Sequence, residues 1–391
     1  MSAVPMLPSN PIIPGGILAI AAECRRRRSL GEKIVDLSLG EPDFDTPTHI
    51  MEAAVQALED GATRYTPTAG VPALRQALIR SLSAEGLRFA PREVMVTVGA
   101  TGAIWCAFQA LLRAGDEVIL PAPYYPQYLN PISMRGAQAV IVPTSAEQRF
   151  KLQPESLRAA ITDKTRMLIL NAPSNPAGVI YSREELEALA AVAQEHNVFI
   201  LSDEVYAAFT YGEKFVSMAA VAPNSTLVVR SVSKTYAMTG WRIGFAAGPA
   251  AIIDAMTAVQ ESCVVTPAAV SQWAAIEALR GPQDCVARIR NEFARRRAIA
   301  TEKLQAIEGV QIDGGEGGMF VFPDLGARVP DVDAFCARLL RQHNVAVVPG
   351  REFGAPTCVR ISLGTNATDI AEGIERIAKA IDEEEVSWTS N

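Results

Sequence analysis

Histidine is scarce in this chain, three in 391 residues, and the six cysteines (Cys24, Cys106, Cys263, Cys285, Cys336 and Cys358) lie far apart with no CxxC pair. Neither residue type falls at metal-ligand spacing, so no metal centre is expected. Uninterrupted apolar sequence long enough to span a bilayer is also missing. Positive charge is not in excess: 36 Lys plus Arg against 43 Asp plus Glu leave a net charge of -7. No overall field exists to collect nucleic acid or an anionic membrane. The single basic run, residues 25–28, reads as the solvated face of a helix. Residues 2–22 carry no charge, yet Pro5, Pro8, Pro11 and Pro14 break the stretch and the positive charges follow it, which is not the pattern of an export signal. With reduced thiols, this points to the cytoplasm.

What the chain does have is core. It is 49% hydrophobic and 20% charged, with 27 Gly and 25 Pro spread along it, a globular composition long enough for two core-bearing units. From about residue 93, short β-branched runs (94–98, 117–120, 139–142, 167–170, 198–201 and 226–230) alternate with amphipathic helical stretches. That alternation predicts an α/β fold with a mostly parallel central sheet covered by helices. Residues 252–308 read as long helices broken at Gly281-Pro282. Beyond them, short strands (319–322, 345–348, 358–363) alternate with helices at 331–342 and 367–384, a smaller α+β unit. Near the start, a helix precedes Gly31 and a strand is expected at 33–37.

The most informative stretch follows the strand 226–230: Ser231-Val232-Ser233-Lys234-Thr235-Tyr236-Ala237-Met238-Thr239-Gly240-Trp241-Arg242. Ligands sit at the strand ends of α/β sheets, and hydroxyls plus an arginine are what a phosphate requires. A lysine beside a second cation is disfavoured as an ammonium and becomes nucleophilic. Phosphate next to such a lysine suggests pyridoxal phosphate; standing alone, the segment would be a structural salt bridge. At Val98-Gly99-Ala100-Thr101-Gly102-Ala103 a strand turns through small residues into a helix, so free N–H groups and a positive helix terminus form a second anion cradle. It matches neither GxGxxG nor the Walker pattern. Asp203, after the strand 198–201, could keep a pyridine nitrogen protonated, or cap a helix. In the loop from Asn171 to Gly178, Asn175 could donate to a phenolic oxygen, as could Tyr206, although Asn-Pro elements usually serve turns.

Together these segments resemble the class I/II aminotransferases, fold-type I pyridoxal-phosphate enzymes of the aspartate aminotransferase type, from Leu39-Gly40-Glu41-Pro42-Asp43-Phe44 to Arg360-Ile361-Ser362. The resemblance implies a large cofactor domain at 41–285, a small domain from residues 1–40 and 286–391, and a homodimer with active sites at the subunit interface. It implies that the cofactor is pyridoxal 5'-phosphate, that Lys234 forms the internal aldimine, and that Asp203 pairs with the pyridinium nitrogen. Asn175 and Tyr206 would bond the ring oxygen, with Lys234, Asp203 and Tyr206 the catalytic set. Gly99, Ala100, Thr101, Ser231 and Arg242 would bind phosphate, joined by the partner's Tyr65. Tyr125, in preference to its neighbour Tyr124, would stack on the ring.

Arg360 would hold the substrate α-carboxylate, with Gly40 leaving room beside it, and Ile17, Leu39, Tyr125 and Met319 would border the substrate side chain. The implied reaction is a ping-pong transfer of an amino group from an L-amino acid to a 2-oxo acid through pyridoxamine phosphate, with aspartate or an aromatic amino acid as donor. A C–S β-lyase of the same fold and a pyridoxal-phosphate-sensing regulator are the alternatives. His49, His196 and His343 read as surface or helix residues, the cysteines as core fillers, and 314–318 as a flexible turn.

Overall fold

The computed structural model describes residues 16–312 and 315–388, without the side chains of 385–388; Pro5, Pro8, Pro11, Pro14 and Gly314, read above, lie outside the described residues. The strands, in chain order, are β1 Val35–Asp36, β2 Val94–Val98, β3 Glu117–Ala122, β4 Gln138–Pro143, β5 Thr165–Asn171, β6 Phe199–Asp203, β7 Thr226–Ser231, β8 Ile243–Ala247, β9 Phe320–Val321, β10 Val345–Ala346, β11 Val348–Pro349 and β12 Val359–Ser362.

Seven of them form one sheet in the order β2-β8-β7-β6-β5-β3-β4. All neighbours in it pair parallel except β8, which runs antiparallel to both β2 and β7. The central strands are apolar almost throughout because helices cover both faces: Met167, Leu168, Ile169 and Leu170 of β5 are all buried. The mostly parallel α/β architecture expected from the sequence is therefore present. The antiparallel β8 was not foreseen, since IGFAA is short and lacks the β-branched density of its neighbours.

A second body of structure is built from both chain ends. β1 pairs parallel with β10, Val35 opposite Val345, and β11, β12 and β9 make an antiparallel sheet. Its core includes Leu37, Phe293, Phe320, Phe335, Ile361 and Ile374. Helix Val332–His343 opens on Asp331, whose carboxylate accepts from Ala334 N at 2.9 Å, and closes on Asn344 in the left-handed region at φ 57°. The helical stretch expected at 252–308 is broken twice: helices Ala250–Val264, Ala269–Arg280 and Asp284–Gln305 are separated at Gly281-Pro282 and also around Pro267. The strand expected at 345–348 is two short strands, and the one at 33–37 is only two residues long. Among the described residues no helix is long and apolar enough to cross a membrane. Five cysteines are buried as expected of core fillers, whereas Cys263 is exposed on helix Ala250–Val264.

Candidate active site

Parallel strands deliver their carboxyl ends to one edge of the sheet, and the residues singled out in the sequence sit there. β2 ends at Val98, directly before Gly99, β3 leads into Tyr125 and Tyr128, β5 ends at Asn171, β6 at Asp203 and β7 at Ser231. β12 and helix Gly16–Ser29 close the space from the other side. The result is a cavity of about 550 Å³ whose walls include Ile17, Leu39, Gly40, Ala100, Thr101, Tyr125, Asn175, Asp203, Tyr206, Ser231, Lys234, Arg242 and Arg360.

Lys234 lies in the four-residue helix Val232–Thr235, capped by Ser231, and its Nζ donates to the Gly40 carbonyl. Its pKa is lowered to about 8. Burial is the main cause; the Glu41 carboxylate opposes it, and the Arg360 and Arg242 charges add to it. The neighbouring cation expected from the sequence, Arg242, acts in the right direction but is a lesser cause than burial. At neutral pH a far larger share of the amine is neutral and nucleophilic than in an ordinary lysine, although the ammonium still predominates.

Asp203 is 5% exposed, and its Oδ2 accepts from the Tyr128 hydroxyl at 2.5 Å. Burial raises its carboxyl to about 6, against the lowering effect of the Tyr128 O–H and the Val205 N–H. Tyr128, itself 1% exposed, stands edge-on to Tyr125 with centroids 5.5 Å apart. Asn171 bridges β5 and the loop beyond: its Nδ2 donates to the Asp203 carbonyl at 2.9 Å and its Oδ1 accepts from Asn175 N at 2.7 Å.

The anion cradle has a clear geometric cause. Helix Gly99–Leu111 starts without a side-chain cap, leaving the first-turn amides of Ala100 and Thr101 available. Gly99 has φ +70°, and a Cβ there would lie 2.5 Å from an Arg242 Nη atom. Glycine is thus what allows the guanidinium to close on the helix terminus. Ser231 Oγ donates to the Ile243 carbonyl at 2.8 Å and accepts from Ser233 N at 3.0 Å, with Ser233 Oγ alongside at 2.7 Å.

Arg360 is 2% exposed and held between Phe320 and Phe353, whose ring centroids are 4.4 and 5.0 Å from the guanidinium. It donates to Asn175 Oδ1 at 3.0 Å and to the Ser38 carbonyl at 2.6 Å, while its buried Nε has no acceptor. No carboxylate among the described residues answers its charge, and burial lowers its pKa to about 10.

One sequence expectation is revised here. Met319 is fully buried in the core and does not border the cavity. Gly40 is not required by crowding within the protein, since a Cβ would meet Phe320 at an ordinary 3.5 Å; what it offers is its carbonyl. Tyr65 is 85% exposed and away from this chain's own cavity. Of the adjacent tyrosines, Tyr125 lines the cavity and Tyr124 turns away, toward Gly354. Sequence reasoning missed Tyr128, Asn171 and Ser233; only Asn171 and Ser233 stood inside a motif that could have pointed to them.

The family model for aminotransferase class I and II matches residues 32–377. The aspartate aminotransferase of Bacillus sp. (strain YM-2) is 42% identical over 95% of this chain and 97% of its own length. The aspartate/prephenate aminotransferase of Thermus thermophilus is 40% identical, covering 94% of this chain and 96% of that one. A solved structure of the Thermus thermophilus aspartate aminotransferase with maleate superimposes with a TM-score of 0.91 at 40% identity, over 94% of this chain and 97% of the other. Matches of that extent on a site of this construction leave one conclusion: the chain belongs to the class I and II aminotransferases, and it is a transaminase.

Proposed function

We propose that this chain binds pyridoxal 5'-phosphate at the sheet edge and moves the amino group of aspartate to a 2-oxo acid in a ping-pong cycle. The observation that carries the reading is the coexistence, in one cavity, of a lysine brought to about 8 and a buried guanidinium with no carboxylate partner among the described residues. The donor set suits the cofactor: an uncapped helix terminus, two serine hydroxyls and Arg242 for a dianionic phosphate, and a buried carboxylate for a ring nitrogen. When bound, pyridoxal phosphate supplies an aldehyde that captures amines and a ring that accepts electrons.

The protein's own residues do the rest. Asp203, fixed by Tyr128, holds a proton at the ring nitrogen. Asn175 spends its oxygen on Arg360, and its Nδ2 donates to nothing among the described residues, leaving it for the ring oxygen together with the Tyr206 hydroxyl. Arg360 grips the α-carboxylate with the planar fork that lysine lacks. So anchored, the substrate Cα comes within reach of Lys234 Nζ, which as a neutral amine takes the Cα proton and returns it one position away. Helix Gly16–Ser29 and the aromatic walls exclude water from that transfer.

Aspartate is favoured as donor because the relatives described above carry that activity. A homodimer is supported by exposed apolar side chains at Met51, Val55, Leu58, Val264, Val265 and Trp273, and it would let the partner's Tyr65 reach the phosphate. The division into a unit at 41–285 and one from 1–40 and 286–391 is proposed on the separation of the seven-stranded sheet from the two small ones. Six free cysteines fit a reducing, cytoplasmic compartment.

The test is to purify the chain with pyridoxal phosphate and assay aspartate with 2-oxoglutarate. The expected result is coloured protein, a borohydride-fixed adduct on Lys234, and turnover that Lys234→Ala lowers by at least about 10⁴-fold. Continuous release of pyruvate and ammonia from one amino acid, with no acceptor needed, would overturn the transaminase reading in favour of a lyase.

A further inference from the structure

A second cavity, of about 460 Å³, touches the far end of the segment that carries Lys234, where Thr235 and Tyr236 line it. That volume suits a small organic molecule. Its walls come from both bodies of structure. Lys214 lies in the loop between β6 and β7, and Arg183 opens helix Arg183–Glu195. Gln283, Val286 and Arg290 face the cavity from successive turns at the start of helix Asp284–Gln305, whose Ile289 and Phe293 belong to the core built from both chain ends. The Tyr236 hydroxyl donates to Gln283 Oε1 at 2.8 Å, which fixes the start of that helix against the Lys234 segment.

The charge around this cavity runs against that of the chain. Arg183, Lys214, Arg230 and Arg290 line it with only two carboxylates, Glu85 and Glu204, in a protein whose net charge is -7. Both carboxylates are spent on Arg230, at 2.6 and 2.9 Å. Arg183, Lys214 and Arg290 are left with neither a hydrogen bond nor an ion pair among the described residues. The acids beside them in sequence are engaged elsewhere: Glu184 accepts from Ser182 Oγ at 2.8 Å, and Glu213 borders another hollow with Arg149 and Lys151. All three cations are exposed, and one exposed cation alone would carry no meaning. What sets these apart is that they meet from three separate elements at one hollow, whose other walls include the apolar Leu87, Val216 and Phe245. Apolar walls and concavity concentrate the field of such charges.

We infer that this second cavity is a binding site for a ligand carrying a phosphate group, received by the unpaired cations Lys214, Arg290 and Arg183. The number of open charges selects phosphate over carboxylate. A carboxylate brings one charge and two oxygens, which a single guanidinium already satisfies. A phosphate monoester brings nearly two charges and three acceptor oxygens, enough to be shared among several cations. The apolar wall then takes the body of the ligand, if it has one, and water leaves that wall. Because Lys214 and Arg290 belong to different bodies of structure, an occupant held by both ties one to the other.

The experiment titrates inorganic phosphate, adenosine 5'-monophosphate and benzoate by calorimetry into the protein purified with pyridoxal phosphate. The parent is compared with Lys214→Gln, Arg290→Gln, Arg183→Gln, the Lys214→Gln/Arg290→Gln pair and, as a control on another surface, Arg26→Gln; urea midpoints confirm that each variant is folded. Both phosphates should bind saturably and lose affinity as salt is added. Each single substitution should weaken them by about threefold to tenfold and the pair by about tenfold to a hundredfold, with Arg26→Gln unchanged. Tighter binding of the nucleotide identifies an organic phosphate whose body lies on the apolar wall, and equal affinities identify free phosphate. The inference is overturned by the lack of saturable phosphate binding in the millimolar range, by benzoate binding as tightly as the nucleotide, or by binding that the paired substitution leaves intact. That last result would place the anion at some other site, the sheet-edge cavity included.

Discussion

Two arginines largely withdrawn from solvent show how differently this protein treats a charge. Arg230, on β7, lies beside a cavity of about 460 Å³ and reaches the carboxylate of Glu204 at 2.9 and 3.0 Å and that of Glu85 at 2.6 and 2.8 Å. Burial pulls its pKa down, but the Glu204 and Glu85 charges and hydrogen bonds more than reverse that, and it is held above the ordinary arginine value. Glu204 in turn accepts from Ser202 and Ser217 at 2.9 and 2.7 Å, so the group is satisfied from within. Arg360, more deeply enclosed, has no carboxylate partner among the described residues and an orphaned Nε. The same contrast separates neighbours in sequence: Glu204 is neutralised, while Asp203 sits in a cavity that pushes its carboxyl up to about 6. A buried charge the chain itself completes is structural; one left open marks where a ligand completes it.

The strongest way to break that contrast is at the open arginine. Arg360→Lys keeps the charge and loses the fork, so kcat/KM for the amino donor should fall by about 10²- to 10³-fold with little change in stability, because no acidic partner is abandoned. Half-reaction kinetics with a parallel urea melt would check it, and a loss below tenfold would remove Arg360 as the α-carboxylate anchor. The closed arginine should behave oppositely. Glu204→Gln leaves Arg230 short of a buried counter-charge and should cost about 3 kcal/mol, read from the urea midpoint, with a much smaller change in half-reaction rate. A stable Glu204→Gln protein with crippled chemistry would reverse the assignment of the two clusters.

Much of this was legible because the chemistry is carried by short segments placed just after apolar strands. Lys234 follows β7 by three residues, Asp203 ends β6, and Gly99 follows β2 directly, so strand prediction and site prediction were one operation. What escaped was non-local. Tyr128 lies 75 residues from Asp203 in sequence and sits in the turn Pro126–Tyr128, where nothing in the local pattern distinguishes it from a packing tyrosine. The Gly40 carbonyl that receives Lys234 is backbone and leaves no side-chain signature. Burial, the main cause of the lowered Lys234 pKa, is a property of the assembled fold, whereas sequence showed only Arg242 eight residues on. Met319 was misjudged for the same reason: it adjoins the site in sequence but its side chain packs into the core formed by both chain ends.

The smallest expected effect tests whether that non-local tyrosine sets the charge on Asp203. Its O–H favours the ionised carboxyl, opposing burial. Removing it in Tyr128→Phe should therefore carry the Asp203 pKa further upward, and a hydrogen bond of about 1 to 1.5 kcal/mol corresponds to about one pH unit. The sign on stability follows from proton counting. In the cofactor-free protein the folded state already binds this proton more tightly than the unfolded chain, so Asp203 makes stability fall as pH rises from the ordinary carboxyl value of 3.8 to about 6. In Tyr128→Phe that fall should continue to about pH 7, and the acid limb of kcat/KM should move upward with it. Urea midpoints from pH 4 to 8, alongside pH profiles of the half-reaction, measure both; if neither limb moves, the 2.5 Å contact is packing and not charge control.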